Sequence, residues 1–299
     1  MDLNKLRHSL SLASSSSELV KIITAFLNTK DLYYGHGTDN SADESYWIVR
    51  SQQNWDDKKW NLKPEIKLIN KVLYLVEERV SSNKPLAYIL GEAFFAELKF
   101  IVNQNVLIPR SPLAELIKNS FSPWLTLSAE SKVLEIGTGS ACIAIAISKY
   151  CSAKLIDASD ISEDALLLAK KNIILHDCHN IELVRSNLYS NIFRKYDLII
   201  SNPPYVSEES FKRLPKEYHY EPELALKTSE KGLFLVKRIL EQSMKYLKDG
   251  GSLIIEVGES QLELEQYYHG LPVTWLDFHS GGEGVLIVSK EQLLDYFST

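Results

Sequence analysis

The sequence predicts an α/β protein, a mostly parallel sheet with crossover helices preceded by a small helical domain. Beyond residue 130, short apolar runs (Val133 to Ile136, Leu155 to Ala158, Ile181 to Val184, Leu198 to Ile200, Leu253 to Val257) alternate with stretches of helical spacing. That rhythm is the pattern of parallel strands joined by helices. Up to about residue 82 the apolar spacing is helical throughout, and 299 residues exceed the usual size of one domain.

In chain order, Leu19, Ile22, Ile23 and Phe26 form one helical stripe and Ile66, Ile69, Leu73 and Val76 another, so 1–84 reads as an N-terminal helical domain. Ser14 to Ser17, ahead of Glu18, supplies an N-cap or a short linker. Residues 85–110 read as a β-hairpin linker, with Phe94, Phe95, Leu98, Phe100, Val102, Val106 and Ile108 spaced for strands around Asn103-Gln104-Asn105. A helix from Leu113 to Phe121, closed by Pro123, opens the main domain, 111–299. Val273 to Phe278 and Val285 to Val288, separated by Gly281-Gly282-Glu283-Gly284, read as a terminal hairpin.

Composition restricts the function classes. The formal net charge is -6, opposite to what stable phosphate neutralisation requires, so stable nucleic-acid binding is not expected and a basic partner fits better. Cys142, Cys151 and Cys178 are odd in number and sit in core or helical stretches, which argues for a reducing compartment rather than a disulfide framework. The charged start and the lack of a long apolar run lead to the expectation of a cytoplasmic protein without a membrane segment. His176 and His179 flank Cys178 but have no second ligand pair, so no metal is expected.

Val133 to Ala141 places Gly137-Thr138-Gly139 directly after a buried strand and before a helix that begins near Cys142. Bare backbone and unpaired N–H groups can meet a ligand there. The dinucleotide fingerprint requires a third glycine where this chain has Cys142, which weakens a pyrophosphate reading. What remains is Glu135 followed by glycines on a tight turn, with Ala141 in the last glycine position, a change tolerated only at negative φ. Asp160, 23 residues after Gly137, falls at the end of the next strand, where a carboxylate accepts the hydroxyls of a ribose or caps a helix. Asp157 is the alternative acid. Asn187 and Leu188 follow the third strand, where a ligand's adenine would sit, or they simply end a strand.

The strongest signal is Asn202-Pro203-Pro204-Tyr205 at the carboxyl end of the strand Leu198 to Ile200, where open α/β sheets bind ligands. The Asn202 side-chain oxygen and the Pro203 carbonyl can each accept one N–H of a planar NH₂ group, orient its nitrogen and stabilise the positive charge that develops on it. Consecutive prolines fix φ, so the carbonyl direction is set in advance. Tyr205 can supply an aromatic wall. Asn202, Pro203 and Tyr205 are therefore the candidate catalytic residues.

These residues, with Pro85 to Glu92, Ile108-Pro109-Arg110 and Tyr220 to Leu226, resemble the protein-(glutamine-N(5)) methyltransferase (HemK-like) family over most of the chain. The resemblance implies a Rossmann-like, seven-stranded S-adenosylmethionine-dependent methyltransferase sheet and a helical N-terminal domain that recognises a protein substrate. It also implies donor binding by Glu135, Gly137, Thr138, Gly139, Asp160, Asn187, Leu188 and Asn202, and substrate binding by Arg110, Asn202, Pro203, Tyr205 and Glu221. The branch acting on release factors carries Pro-Arg-Pro-Glu-Thr-Glu, whereas this chain reads Pro109-Arg110-Ser111-Pro112-Leu113-Ala114. With Tyr34 to Asn40 and Thr274 to Phe278, it is more similar to the branch that methylates large-subunit ribosomal protein L-three. An acidic enzyme suits a basic ribosomal protein. The alternatives are the release-factor enzyme, a nucleic-acid exocyclic-amine methyltransferase and a non-catalytic assembly module of the same fold.

Overall fold

The computed structural model describes residues 2–279 and 281–298. The chain forms two compact units, Met1–Glu92 with Pro215–Tyr220, and Ala93–Leu214 with Glu221–Thr299. Against the division into 1–84, 85–110 and 111–299, most of the hairpin is counted with the larger unit and a short late segment with the smaller. Among the described residues no helix is long and apolar enough to cross a membrane.

The smaller unit contains α1 (Leu3–Ser11), α2 (Ser16–Leu27), α3 (Ser41–Gln52), α4 (Ile66–Ser82) and α5 (Leu86–Leu90). Polar caps start the first three of these. Asp2, Ser15 and Asn40 accept from backbone N–H groups of the first turn, and the Glu18 carboxylate accepts in return from the Ser14 N–H at 2.7 Å. Leu19, Ile23 and Phe26 of α2 and Ile69, Leu73 and Val76 of α4 are buried as their spacing predicts. Ile66 departs from its stripe and is 66% exposed, because it is the first residue of its helix and lies beyond the packed turns. The charged centre of this unit is Arg79, fully buried. Its Nε donates to both Glu44 oxygens (3.2 and 3.0 Å), Nη1 to Glu217 (3.2 Å) and Nη2 to the Tyr33 carbonyl (2.9 Å).

A hairpin follows, β1 (Glu92–Phe95) and β2 (Leu98–Ile101). It turns at Ala96-Glu97, not at Asn103-Gln104-Asn105. Both turn residues have positive φ (48° and 64°), the combination whose twist matches the flanking strands of a tight hairpin. The Asn103 side chain instead forms a local turn, accepting from the Asn105 N–H at 3.0 Å. Val102, Val106 and Ile108 are buried, but outside any strand. The next helix, α6 (Leu113–Lys118), is shorter than the expected run to Phe121, because Ser120 and Phe121 take positive φ and end it.

The main sheet is built from β3 (Lys132–Ile136), α7 (Cys142–Tyr150), β4 (Leu155–Asp160), α8 (Glu163–Leu175), β5 (Ile181–Arg185) and β6 (Tyr196–Ser201). After α9 (Glu208–Phe211), α10 (Glu223–Leu226) and α11 (Phe234–Ser243) it continues with β7 (Leu247–Glu256), α12 (Gln261–Tyr267), β8 (Thr274–Leu276), β9 (Val285–Ser289) and α13 (Lys290–Phe297). The seven strands run in the order β5-β4-β3-β6-β7-β9-β8. The first five in that order are parallel, and β9 pairs antiparallel with both β7 and β8. Successive strand residues point to opposite faces, which splits the aliphatic core in two. Val133, Ile156, Leu198 and Ile254 pack on one face, and Leu134, Ile199, Leu253 and Leu286 on the other. From β3 the chain steps outward through β4 and β5 and then returns to the opposite side of β3 as β6. The crevice at that reversal is where open sheets of this kind bind ligands.

Candidate active site

The loops leaving the carboxyl ends of β3, β4, β5 and β6 line one cleft. Glu135, Gly137, Thr138, Gly139, Asp160, Asn187, Leu188, Asn202 and Pro203 all contribute to its wall, as does Arg110. Register explains the convergence, since Ile136 lies opposite both Ser159 of β4 and Ser201 of β6, so the residues that follow each strand emerge side by side.

The glycine turn is tied to the strands beneath it. The Gly137 and Thr138 N–H groups both donate to the Ser159 carbonyl (2.8 and 2.9 Å), and Ser201 Oγ donates to the Ile136 carbonyl. Gly137 and Gly139 hold φ of 75° and 53°, and a Cβ added to either would meet nothing within 4 Å. The space beside them is open for a ligand. Ala141 contradicts the condition set for it from sequence: its φ is +62°. Left-handed backbone costs an L-residue roughly 1–2 kcal/mol, and the fully buried Ala141 methyl, packed in the core, offsets part of that cost.

Glu135 is buried beneath the turn, where Oε2 accepts from Thr138 Oγ1 (2.6 Å) and from the Ala144 N–H at the start of α7 (3.0 Å). Burial pushes its carboxyl up to about 8, opposed by those two hydrogen bonds. Thr138 thus braces Glu135 as well as lining the cleft. Asp160 accepts from the Gly139 N–H through one oxygen and from the Ser162 N–H through the other, both at 2.9 Å. Burial raises its pKa while those bonds lower it. It does not cap α8; Ser162 does, accepting from the Ala165 N–H. Asp157, the alternative acid, lies inside β4 and is committed to Arg194 (2.7 Å) and the Tyr196 hydroxyl (2.5 Å). Asn187 is exposed at the cleft, and Leu188, buried beside it, has φ +52°.

A donor carrying a ribose, a purine and a charged chain fits this wall. It offers one carboxylate with spare lone pairs at the end of β4, open backbone at two glycines and an apolar residue after β5. Among the described residues, nothing hydrogen-bonds to the buried Ser140 hydroxyl, which is also on the wall.

Beside the glycine turn, at the end of the neighbouring strand, Asn202 is half-buried and Pro203 buried, both on the cleft wall. No other backbone N–H among the described residues pairs with the Pro203 carbonyl. Tyr205 and Glu221 are placed differently from these, outside the cleft wall. The Tyr205 ring lies against Gly258, where an added Cβ would come within 2.5 Å of it, and its hydroxyl donates to Glu256 Oε1 at 3.1 Å. The Glu221 side chain has no exposure; it accepts two bonds of 2.7 Å from the Arg110 guanidinium and one of 2.9 Å from the Ile108 N–H. This fork-to-fork pair fixes the Pro109-Arg110 segment along the cleft.

Sequence reasoning missed Ser111 and Glu256. Ser111 Oγ donates to Glu256 Oε2 at 2.5 Å, and both side chains are buried. A signal existed: Glu256-Val257-Gly258 repeats the pattern of Glu135-Ile136-Gly137, an acid near a strand's carboxyl end followed by a glycine at positive φ.

Residues 118–216 match the family model described as "Methyltransferase small domain". A ribosomal protein uL3 glutamine methyltransferase of Francisella tularensis subsp. tularensis (strain SCHU S4 / Schu 4) is 41% identical over 280 residues, covering 90% of this chain and 88% of the relative. One from Xylella fastidiosa (strain Temecula1) is 39% identical over 282 residues, covering 93% and 90%. Among solved structures, the hMettl16 catalytic domain in complex with the MAT2A 3′UTR hairpin 6 superposes with a TM-score of 0.50 at 18% identity, covering 77% of this chain and 84% of that one. At that identity the likeness concerns the fold alone.

Proposed function

The chain belongs to the ribosomal protein uL3 glutamine methyltransferase family, and from that membership we propose that it methylates the side-chain amide nitrogen of a glutamine in ribosomal protein uL3. The carrying observation is the relatives' identity of 38–41% across nearly the whole chain, joined to Asn202, Pro203 and the glycine turn lining one cleft.

S-adenosylmethionine is the methyl donor, and its sulfonium supplies the electrophilic methyl group. Asp160 would hold the ribose hydroxyls, the backbone at Gly137 and Gly139 the charged chain, and Asn187 with Leu188 the adenine. Glu135 and Thr138 hold the turn's shape from below. An amide nitrogen is a poor nucleophile because its lone pair is delocalised into the carbonyl, so orientation is the enzyme's main task. The Asn202 side-chain oxygen and the Pro203 carbonyl each accept one N–H of the glutamine amide, which directs the nitrogen toward the donor pocket. The same two oxygens stabilise positive charge as it grows on that nitrogen, at a site where they need no reorganisation. The extra proton then passes to water, so no side-chain base is required. Tyr205 and Glu221 act from behind the wall, Tyr205 by seating the Asn-Pro-Pro-Tyr turn and Glu221 by holding Arg110 along the substrate's side of the cleft.

The helical N-terminal region, 1–84, is the part we assign to recognition of the protein substrate. The net charge of -6 favours encounter with a basic ribosomal protein over nucleic acid. We place the reaction in the cytoplasm, where ribosomal proteins are made. The test is incubation with labelled S-adenosylmethionine and, separately, uL3, a release factor, and RNA or DNA, followed by mass spectrometry. Label on a uL3 glutamine is expected; label on the release factor or nucleic acid with none on uL3 would overturn the assignment.

A further inference from the structure

We propose that Glu256 is a positioning residue for the methyl transfer, holding the Asn-Pro-Pro-Tyr turn through the Tyr205 hydroxyl so that the oxygens of Asn202 and Pro203 stay where the substrate amide needs them. The inference rests on the reaction assigned above and adds to it the group that anchors the turn carrying the accepting oxygens.

Glu256 ends β7, beside the Ser201 end of β6 from which Asn202 emerges. It is 4% exposed and receives donors from two distant segments: the Ser111 hydroxyl at 2.5 Å and the Tyr205 hydroxyl at 3.1 Å. Asn202 follows Ser201, the residue that pairs with Ile255 of β7, so it leaves β6 beside Glu256. Burial holds the pKa of Glu256 above its ordinary value, opposed in part by the hydrogen bonds from Ser111 and Tyr205.

An ionised carboxylate only accepts hydrogen bonds. The Ser111 and Tyr205 hydroxyls therefore both donate to it, which ties the Asn-Pro-Pro-Tyr turn to β7. Three further contacts hold Tyr205 in place. Its carbonyl accepts from Ser260 Oγ (3.1 Å), and Cβ atoms on Gly232 and Gly258 would fall within 2.2 Å of that carbonyl and 2.5 Å of its ring. Tyr205 is joined to Asn202 through two residues of fixed φ, so its anchorage is transmitted to the catalytic oxygens.

The test compares wild type with Glu256→Gln, which keeps the volume but turns one acceptor into a donor. A kcat about 10- to 100-fold lower is expected, with KM for uL3 and the calorimetric Kd for S-adenosylmethionine within about twofold of wild type, as for an interaction made only in the transition state. In an Asn202→Ala background the same change should cost less than about threefold, since a residue acting through Asn202 has nothing left to orient. In isotope-labelled protein without substrate, the Asn202 side-chain amide resonances should shift in Glu256→Gln. Unchanged kcat, losses that multiply in the double variant, or unmoved Asn202 resonances would each overturn the proposal. Should Glu256→Gln not fold, Tyr205→Phe removes one arm of the same anchor and is expected to lower kcat without raising KM; a rise in KM alone would count against it. Wild type that leaves uL3 unmodified refutes the assigned substrate, while the resonance measurement still decides the role of Glu256.

Discussion

Gly258→Ala puts one methyl group where the Tyr205 ring already is. The added Cβ would lie 2.5 Å from Cε2, 2.8 Å from Cζ and 3.0 Å from Cδ2 of that ring, on a residue whose φ is +49°. Left-handed backbone at a non-glycine residue costs roughly 1–2 kcal/mol. Overpacking by a methyl group in a filled site adds roughly 1–3 kcal/mol, so a turn forced to stay in place would lose about 2–5 kcal/mol. The ring can instead swing away, which gives up its hydroxyl bond to Glu256, a bond to a charged group worth about 1.5–3 kcal/mol. The two routes cost similar amounts, so both readouts should move. Denaturant unfolding should show a loss of about 2–4 kcal/mol, within that range. Steady-state kinetics on uL3 should show kcat reduced by at least about tenfold, since the oxygens at Asn202 and Pro203 lose their support. Wild-type stability together with wild-type kcat would refute the view that Tyr205 is seated by this glycine.

Asn202→Ala removes one of the two acceptors and should lower kcat by about 10²–10³-fold, the range for one preorganised contact, while calorimetric donor affinity changes little. Near-normal turnover would rule out the role given to this oxygen. Asp160→Asn should weaken S-adenosylmethionine binding by about 10- to 100-fold, equivalent to about 1.4–2.8 kcal/mol, and unchanged affinity by calorimetry would remove Asp160 from the donor site. Glu135 has a folded-state pKa near 8, raised by burial above its ordinary value of 4.5. Between those two values the folded state holds a proton that the unfolded state has released, so this group's contribution to stability falls as pH rises from about 4.5 to 8. Glu135→Gln should therefore gain stability relative to wild type as pH rises through that window, and a pH-independent difference in unfolding free energy would contradict the shift. In the smaller unit, Arg79→Ala leaves Glu44 and Glu217 buried without their cation and should cost about 3–5 kcal/mol in denaturant unfolding; a loss under about 1 kcal/mol, the scale of an exposed pair, would show the cluster to be solvated.

Sequence alone determined most of the elements and the two loops proposed to carry the chemistry. Strand and helix periodicity is a local property, so the alternation after residue 130 and the stripes of α2 and α4 could be read directly. Gly137, Gly139 and the Asn202–Tyr205 turn could be read for the same reason, since each is a constraint on a few adjacent residues. Tertiary structure decided what meets across long separations. Ser111 and Glu256 are 145 residues apart and Tyr205 and Glu256 are 51 apart, and no periodicity encodes which buried carboxylate accepts from which hydroxyl. The left-handed backbone of Ala141 likewise follows from how the turn closes over β4, because an alanine's local preference is for negative φ and only the surrounding packing overrides it. The residues proposed to perform the transfer are thus written in the sequence, whereas the side chains proposed to hold them in place become visible only once the strands have brought them together.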